Sequence, residues 1–510
     1  MTGGHFDLLI RGGDLADGTG APLLPKDVGI AAGLVTILPA GATATARRVH
    51  DATRQVVAPG FIDAHTHSDQ TNLNGLGEAQ AHAAVLQGVT VEICGNCGDS
   101  AFPGHYRDLA AFARAHAASG RANHLVSLVG HGTLRGSVVG HANRAATAQE
   151  LAQMCRLLDE ALTAGAAGLS SGLIYTPGSY ADTAEVTALA AVAARHRKPY
   201  VTHLRDEMSH VDAALDEAVR IARDSGAALH VSHHKTAGTY AWGGTLRTLP
   251  HLERLRAQGL DVTCDVYPYT AGSTALAAML PPWAHDGGPQ SLLARLRDPA
   301  ARAGMRAAIA EGVPGWENTV GNGGWDRISV AGAGRQPWLQ GRTIAQIAAE
   351  RDAEAIDVVA ELLLAEDGDV TIISHSMRED DVQRVLSAPF SMIGSDGVPK
   401  PGLPHPRWAG TFARVLGHYT RDLALFSLPE AVRKMTQASA ARFGLTGRGV
   451  LRDGAPADLV VFDPATVADR ATFADPLLSP VGIRLVVVDG TVVVEEGTVT
   501  AARPGRVLAC

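Results

Sequence analysis

Two histidines stand two residues apart, His65 and His67, at the end of the apolar run Gly60-Phe-Ile-Asp-Ala64 and just after a proline-glycine step. On a strand alternate side chains share a face, so both imidazoles leave the strand's exit on the same side and form half of a zinc site. His203 follows Pro199-Tyr-Val-Thr202, His233 follows Leu229-His-Val-Ser232, and Asp396 follows Phe390-Ser-Met-Ile-Gly-Ser395. A single histidine at such a place is commonly a hydrogen-bonded core residue, whereas four of them with an aspartate and Cys97 imply a bound divalent ion. A thiolate at Cys97 selects zinc over magnesium or calcium, which take oxygen ligands. Cys94 and Cys97 are the only close cysteine pair, but a redox Cys-x-x-Cys should open a helix early in a short domain, and that context is missing. His233 and His234 are neighbours facing opposite ways, so only one of them can meet the ion.

These residues need a frame that gathers strand ends. Apolar runs ending near His67, Cys97, His131, Gly172, His203, His233, Tyr267 and Asp396 alternate with Ala-rich amphipathic stretches, the pattern of repeated βα units. Eight such strands predict an α/β fold, a (β/α)8 barrel of the TIM type over residues 58–445, whose chemistry sits at the strand exits. A ninth run, Val370-Thr-Ile-Ile-Ser374, is one too many and reads as an extra strand. Residues 274–345, rich in Pro and Gly, read as an insertion late in the barrel that acts as a lid. Short strands and turns over 1–57 and again over 446–510 predict one small β-sandwich domain built from both chain ends.

In these motifs the chain resembles the amidohydrolase superfamily and, within it, the N-acyl-D-amino-acid deacylases. The resemblance runs through Asp7-Leu-Leu-Ile-Arg-Gly-Gly13, Ala58-Pro-Gly-Phe-Ile-Asp-Ala-His-Thr-His67, Gly95-Asn-Cys-Gly98, Thr202-His-Leu-Arg-Asp-Glu207, Ser232-His-His-Lys235, Gly394-Ser-Asp-Gly397 and His405-Pro-Arg407. Gly-Asn-Cys-Gly with Ser-His-His-Lys is specific to this branch, while His-x-His alone is weak. The resemblance implies that Cys97, His203 and His233 hold one zinc tightly and that His65, His67 and Asp396 line a second, weaker position; the place in the motif favours His233 over His234. Many relatives bridge two metals through a carbamylated lysine, but Ala166-Ala-Gly-Leu-Ser-Ser-Gly-Leu173 has none, leaving Cys97 as the available anion. The implied reaction is hydrolysis of the amide of an N-acyl-D-amino acid, with Asp396 as general base and then acid. Substrates of the family carry a free α-carboxylate, for which Lys235, two residues past His233 on the same face, is the first candidate and Arg407 the second. Tyr267 and Ser273 complete that clamp as in the family.

Composition narrows the alternatives. A formal net charge of -8 over 510 residues, with 19% charged and 46% hydrophobic side chains, suits a globular enzyme and not a nucleic-acid binder. No basic leader and no apolar run of membrane-spanning length is present, and five irregularly spaced cysteines argue for a reducing compartment, so a cytoplasmic protein acting on a small molecule is expected, with no membrane partner. Oligomeric state is open, a monomer being compatible. A cyclic-amide hydrolase of the dihydroorotase or hydantoinase kind, and a catalytically silent scaffold on the same fold, are the competing readings. Side-chain preference is also open: an acidic substrate would want an extra arginine, and the insertion offers Arg295, Arg297, Arg302, Arg306 and Arg327.

Overall fold

The computed structural model describes residues 5–71, 76 and 82–510. Eight strands form the central barrel: β1 (Phe61–Asp63), β2 (Val89–Cys94), β3 (His124–Ser127, continued by Val129–Gly130), β4 (Leu169–Gly172), β5 (Tyr200–His203), β6 (Leu229–Val231), β7 (Val262–Val266) and β8 (Ser391–Ile393). Each is parallel to the next, from β1–β2 through β7–β8. The ring closes between β8 and β1, where Ala64 N–H donates to Ile393 O at 3.1 Å and Asp396 N–H to His65 O at 2.7 Å. Those two hydrogen bonds already bring a predicted ligand of the first strand beside one of the last.

Outer helices form where the sequence marks them. Thr147 and Glu150 make a reciprocal capping box at the start of helix Ala148–Thr163, which buries Met154, Leu158 and Leu162 at four-residue spacing. Helix Val211–Ser225 buries Val211, Leu215, Ala218, Val219 and Ala222 and ends at Gly226, whose φ of 74° a residue with a Cβ adopts at a cost. Their apolar faces join the main core around the strands.

Both chain ends meet in one nine-stranded sheet, joined where Val56–Pro59 pairs antiparallel with Leu459–Phe462. Strand alternation splits its side chains: Leu459 and Val461 pack with Leu8, Ile10, Val28 and Ile30, while Val460 and Phe462 join the barrel core. The Phe61 ring lies 5.8 Å from Phe412 and 6.2 Å from Phe462, fastening sheet to barrel.

The excursion expected over 274–345 extends further in the fold. A three-stranded antiparallel sheet has Thr371–Ser374 at its centre, flanked by Gly272–Ala275 and Ile328–Gly332. The ninth apolar run is therefore the middle strand of this unit and not part of the barrel. Leu276, Leu296, Met305, Val330, Ile344, Val359, Leu362 and Ile372 give the unit a core of its own. Among the described residues no helix is long and apolar enough to cross a membrane.

Candidate metal centre

The ligand candidates occupy the residues where strands give way to loops. Cys97, His233 and Asp396, shortly after β2, β6 and β8, have φ of 53°, 35° and 51°. Non-glycine residues pay on the order of 1–2 kcal/mol for this left-handed conformation, and it persists where surroundings over-determine it. Here it turns each side chain inward at the barrel mouth.

Cys97 Sγ is 3.4 Å from His65 Nε2, 3.4 Å from His233 Nε2 and 3.7 Å from His203 Nδ1. Around a tetrahedral zinc, with Zn–S about 2.3 Å and Zn–N about 2.0–2.1 Å, sulfur and nitrogen ligands stand about 3.5 Å apart. The donor set thus fits that ion in both chemistry and spacing. Asp396 Oδ1 lies 3.3 Å from His67 Nε2 and 3.6 Å from His65 Nε2, a second group that shares His65 with the first. The most compact sulfur triad is His65, Cys97 and His233, with His203 set slightly further from Sγ and close to Glu207. Burial pushes the Cys97 thiol well above its ordinary value and the His203 imidazole well below its own. Neutral imidazoles offer lone pairs, and a thiolate here requires a compensating cation.

Two buried carboxylates orient these rings. Asp265 Oδ1 accepts from the His233 N–H at 2.9 Å, while Oδ2 faces His230 Nε2 at 2.9 Å and His65 Nδ1 at 3.3 Å. Burial alone would raise the Asp265 carboxyl, but His65 and His230 hold it well below the usual carboxylate range. Glu207 Oε1 is 3.1 Å from His233 Nδ1, and its Oε2 lies 2.7 Å from Lys235 Nζ and 3.3 Å from His203 Nε2. A proton on Nδ1 of His65, donated to Asp265, leaves its Nε2 lone pair aimed at Cys97, while His233 Nδ1 lies between Glu207 Oε1 at 3.1 Å and Lys235 Nζ at 2.6 Å with its Nε2 facing Cys97. Asp63 ties the closing strands, its Oδ1 accepting from Ser395 N at 2.8 Å and His65 N at 3.2 Å. None of these three had a role in the sequence reading. Their partners lie between 2 and 332 residues away; Asp63 and Asp265 were signalled only as polar residues inside otherwise apolar strands, and Glu207 lies in the loop after β5.

A cavity of about 700 Å³ opens over the cluster and is lined by His67, Cys97, His203, His233 and Asp396 together with Lys235, Tyr267, Ser273 and Arg407. Arg407 is buried and stacks 4.5 Å over the Tyr267 ring, while its Nη2 reaches Asp396 Oδ2 at 2.9 Å. Its Nε and Nη1 have no hydrogen-bond partner. Lys235 Nζ stands 5.7 Å from the centroid of the same Tyr267 ring and is bound to Glu207. All ten predicted site residues therefore border one space or its floor, and the pairing of Arg407 with Asp396 was not anticipated. His234 turns away to Thr248 at 2.8 Å, and His131 pairs with Glu185 at 2.8 Å. Cys94 is a free, buried thiol directed at Val126 O.

An inward-facing cluster of imidazoles, thiol and carboxylate at the mouth of a parallel barrel defines a metal-dependent hydrolase architecture. A family model described as "Amidohydrolase family" matches residues 48–494, and the chain belongs to that family. It is 40% identical to a D-aminoacylase of Alcaligenes xylosoxydans xylosoxydans over 99% of this chain and 98% of that protein. An N-acyl-D-aspartate deacylase of the same organism is 37% identical over 99% of this chain and 95% of its own length. Among solved structures, the N-acyl-D-glutamate deacylase of Bordetella bronchiseptica, complexed with zinc and a phosphonate mimic of the tetrahedral intermediate, superposes with a TM-score of 0.85 at 36% identity, covering 99% of this chain and all of that one (100%).

Proposed function

We propose that this chain is a zinc-dependent hydrolase that cleaves the amide of N-acyl-D-amino acids to a carboxylate and a free D-amino acid. The observation that carries the reading is Cys97 among three imidazole nitrogens at 3.4–3.7 Å, beneath a cavity that also holds Arg407 with two unpartnered nitrogens. Cys97, His203 and His233 are the residues that would hold one zinc, with His65, His67 and Asp396 at a second position. When bound there, zinc supplies Lewis acidity, bringing a water's pKa to about 7 and polarising the amide carbonyl.

The chain's own groups do the rest. Burial would raise the Asp396 carboxyl, but Arg407 and His67 hold it well below the usual carboxylate range, so it is ionised at neutral pH, and its place at the mouth puts it where the water's proton must go. The same carboxylate then returns that proton to the departing amine, which is a poor leaving group without it. Lys235 and the free nitrogens of Arg407 take the substrate's α-carboxylate, with Tyr267 and Ser273 adding hydroxyl donors. Both cations lie against the Tyr267 ring, at 5.7 Å and 4.5 Å from its centroid. The five cysteines are free, in keeping with a reducing cytoplasm.

The test is turnover of N-acetyl-D-methionine, N-acetyl-L-methionine and a hydantoin by purified protein with added zinc. Release of D-methionine from the first alone is the expected result. Preference for the hydantoin would replace the linear-amide reading with the cyclic one, and no turnover of any of them would leave the scaffold.

A further inference from the structure

Relatives of nearly equal identity carry names for aspartate and glutamate substrates and for no particular side chain, so identity does not settle which side chain this chain accepts. The cavity does bear on it. An acidic side chain buried beside a metal centre needs a cation or a dense set of donors, because an unpaired carboxylate loses its hydration without return.

The five arginines of the insertion do not supply one, for none lines the cavity. Arg295 is spent on the carbonyls of Ala284 at 3.0 Å and Asp286 at 2.5 Å, and Arg302 on Asp357 at 2.6 Å and Leu296 O at 2.9 Å. Arg306 pairs with Glu354 at 3.5 Å, Arg327 lies 5.4 Å over the Trp242 ring, and Arg297 is exposed. The Lys and Arg side chains that do line the cavity are Lys235, Arg407 and Lys400. The first two face the metal centre, and Lys400 Nζ is matched by Asp369 Oδ1 at 2.9 Å. His105 and His141 at the lining are exposed imidazoles. Residues 72–75 and 77–81, outside the described part, contain neither Lys nor Arg in sequence.

What remains of the wall carries no further Lys or Arg: neutral hydroxyls such as Ser100, Thr133 and Thr176 are interspersed with apolar side chains and with the carboxyl groups of Asp99 and Glu317. Ile174, Met208, Ala278, Met279, Trp316 and Val398 border the cavity. Beside them Glu317 is buried, its Oε2 accepting from the Glu207 N–H at 2.6 Å. Burial, with Glu207 and Asp206 close by, pushes the Glu317 carboxyl up to about 8. The surroundings that disfavour ionisation of Glu317 also disfavour a second carboxylate on a substrate.

We propose that the part of the cavity beyond Lys235 and Arg407 is a subsite for uncharged, apolar side chains and that it excludes aspartate and glutamate side chains. The inference rests on the deacylase reading and names its substrate class. Its test uses the zinc-loaded full chain with N-acetyl-D-methionine, N-acetyl-D-leucine, N-acetyl-D-glutamate and N-acetyl-D-aspartate. The expected kcat/KM for either apolar substrate exceeds that for either acidic one by more than tenfold, and a smaller ratio or a reversal overturns the proposal. Calorimetric binding of D-methionine and D-glutamate to the same protein judges the subsite even if no substrate turns over, an outcome that would sink the deacylase reading by itself. D-methionine is expected to bind more than tenfold tighter than D-glutamate; comparable binding of both, or binding of neither, overturns the subsite.

Discussion

Asp265→Asn is the sharpest perturbation of the metal centre that leaves every ligand in place. The Asp265 carboxylate serves three donors with two oxygens, the His233 N–H at 2.9 Å on Oδ1 and His230 and His65 at 2.9 Å and 3.3 Å on Oδ2. An amide keeps one oxygen. If its NH2 takes the Oδ1 place it abuts the His233 N–H, and if it takes the Oδ2 place it abuts two ring nitrogens. Either orientation leaves a buried donor unpaired, which costs about 1–3 kcal/mol. That range matches the roughly 10–100-fold loss of metal affinity typical of altering a carboxylate that orients a histidine ligand. Zinc affinity measured by competition with a fluorescent chelator should therefore fall by about that factor, with catalytic activity recovering toward the unmodified level at high zinc. An unchanged zinc affinity would refute the assignment of Asp265 as the residue that orients the His65 ring and fixes the backbone at His233.

Asp396→Asn should lower kcat by at least about 100-fold, the range for removing a general base, with substrate affinity much less affected; steady-state kinetics with N-acetyl-D-methionine checks this. Arg407→Lys removes the planar fork and its stack on Tyr267, so KM should rise by about tenfold or more, and an unchanged KM would assign the α-carboxylate to Lys235 alone. His116 offers a pH test remote from the metal: burial, with Arg121 and His124 near, pushes it down to about 3. Below pH 6.5 the unfolded chain therefore binds a proton that the folded chain refuses, and stability falls as pH drops from about 6.5 toward 3. The loss amounts to about 2 kcal/mol at pH 5, and His116→Met should remove that part of the difference between denaturant midpoints at pH 7 and pH 5.

The barrel and the ligand candidates were legible because six of the eight short apolar runs lead into a histidine, cysteine or aspartate, the exceptions being those ending near Gly172 and Tyr267, and two-residue alternation fixes which neighbours share a face. Alternation also separated His233 from His234, although His233 lies just past its strand in a left-handed turn, which the sequence does not announce. Thr371–Ser374 was harder to read, since a short run such as Val370-Thr-Ile-Ile-Ser374 looks alike in a parallel barrel strand and in the antiparallel sheet of an insertion. Its partners decide the matter, and Gly272–Ala275 lies nearly a hundred residues before it. Glu207, Asp265 and the pairing of Arg407 with Asp396 were illegible for the same reason: each works across the barrel mouth, through contacts that no local pattern encodes.

X-ray absorption at the zinc edge of the purified, zinc-loaded protein bears most directly on the centre. The expected shell contains one sulfur at about 2.3 Å with nitrogen or oxygen ligands at about 2.0–2.2 Å, and the sulfur vanishes in Cys97→Ser. Zinc surrounded by light atoms alone in the unmodified protein would contradict the assignment of Cys97 and, with it, the metal centre described above.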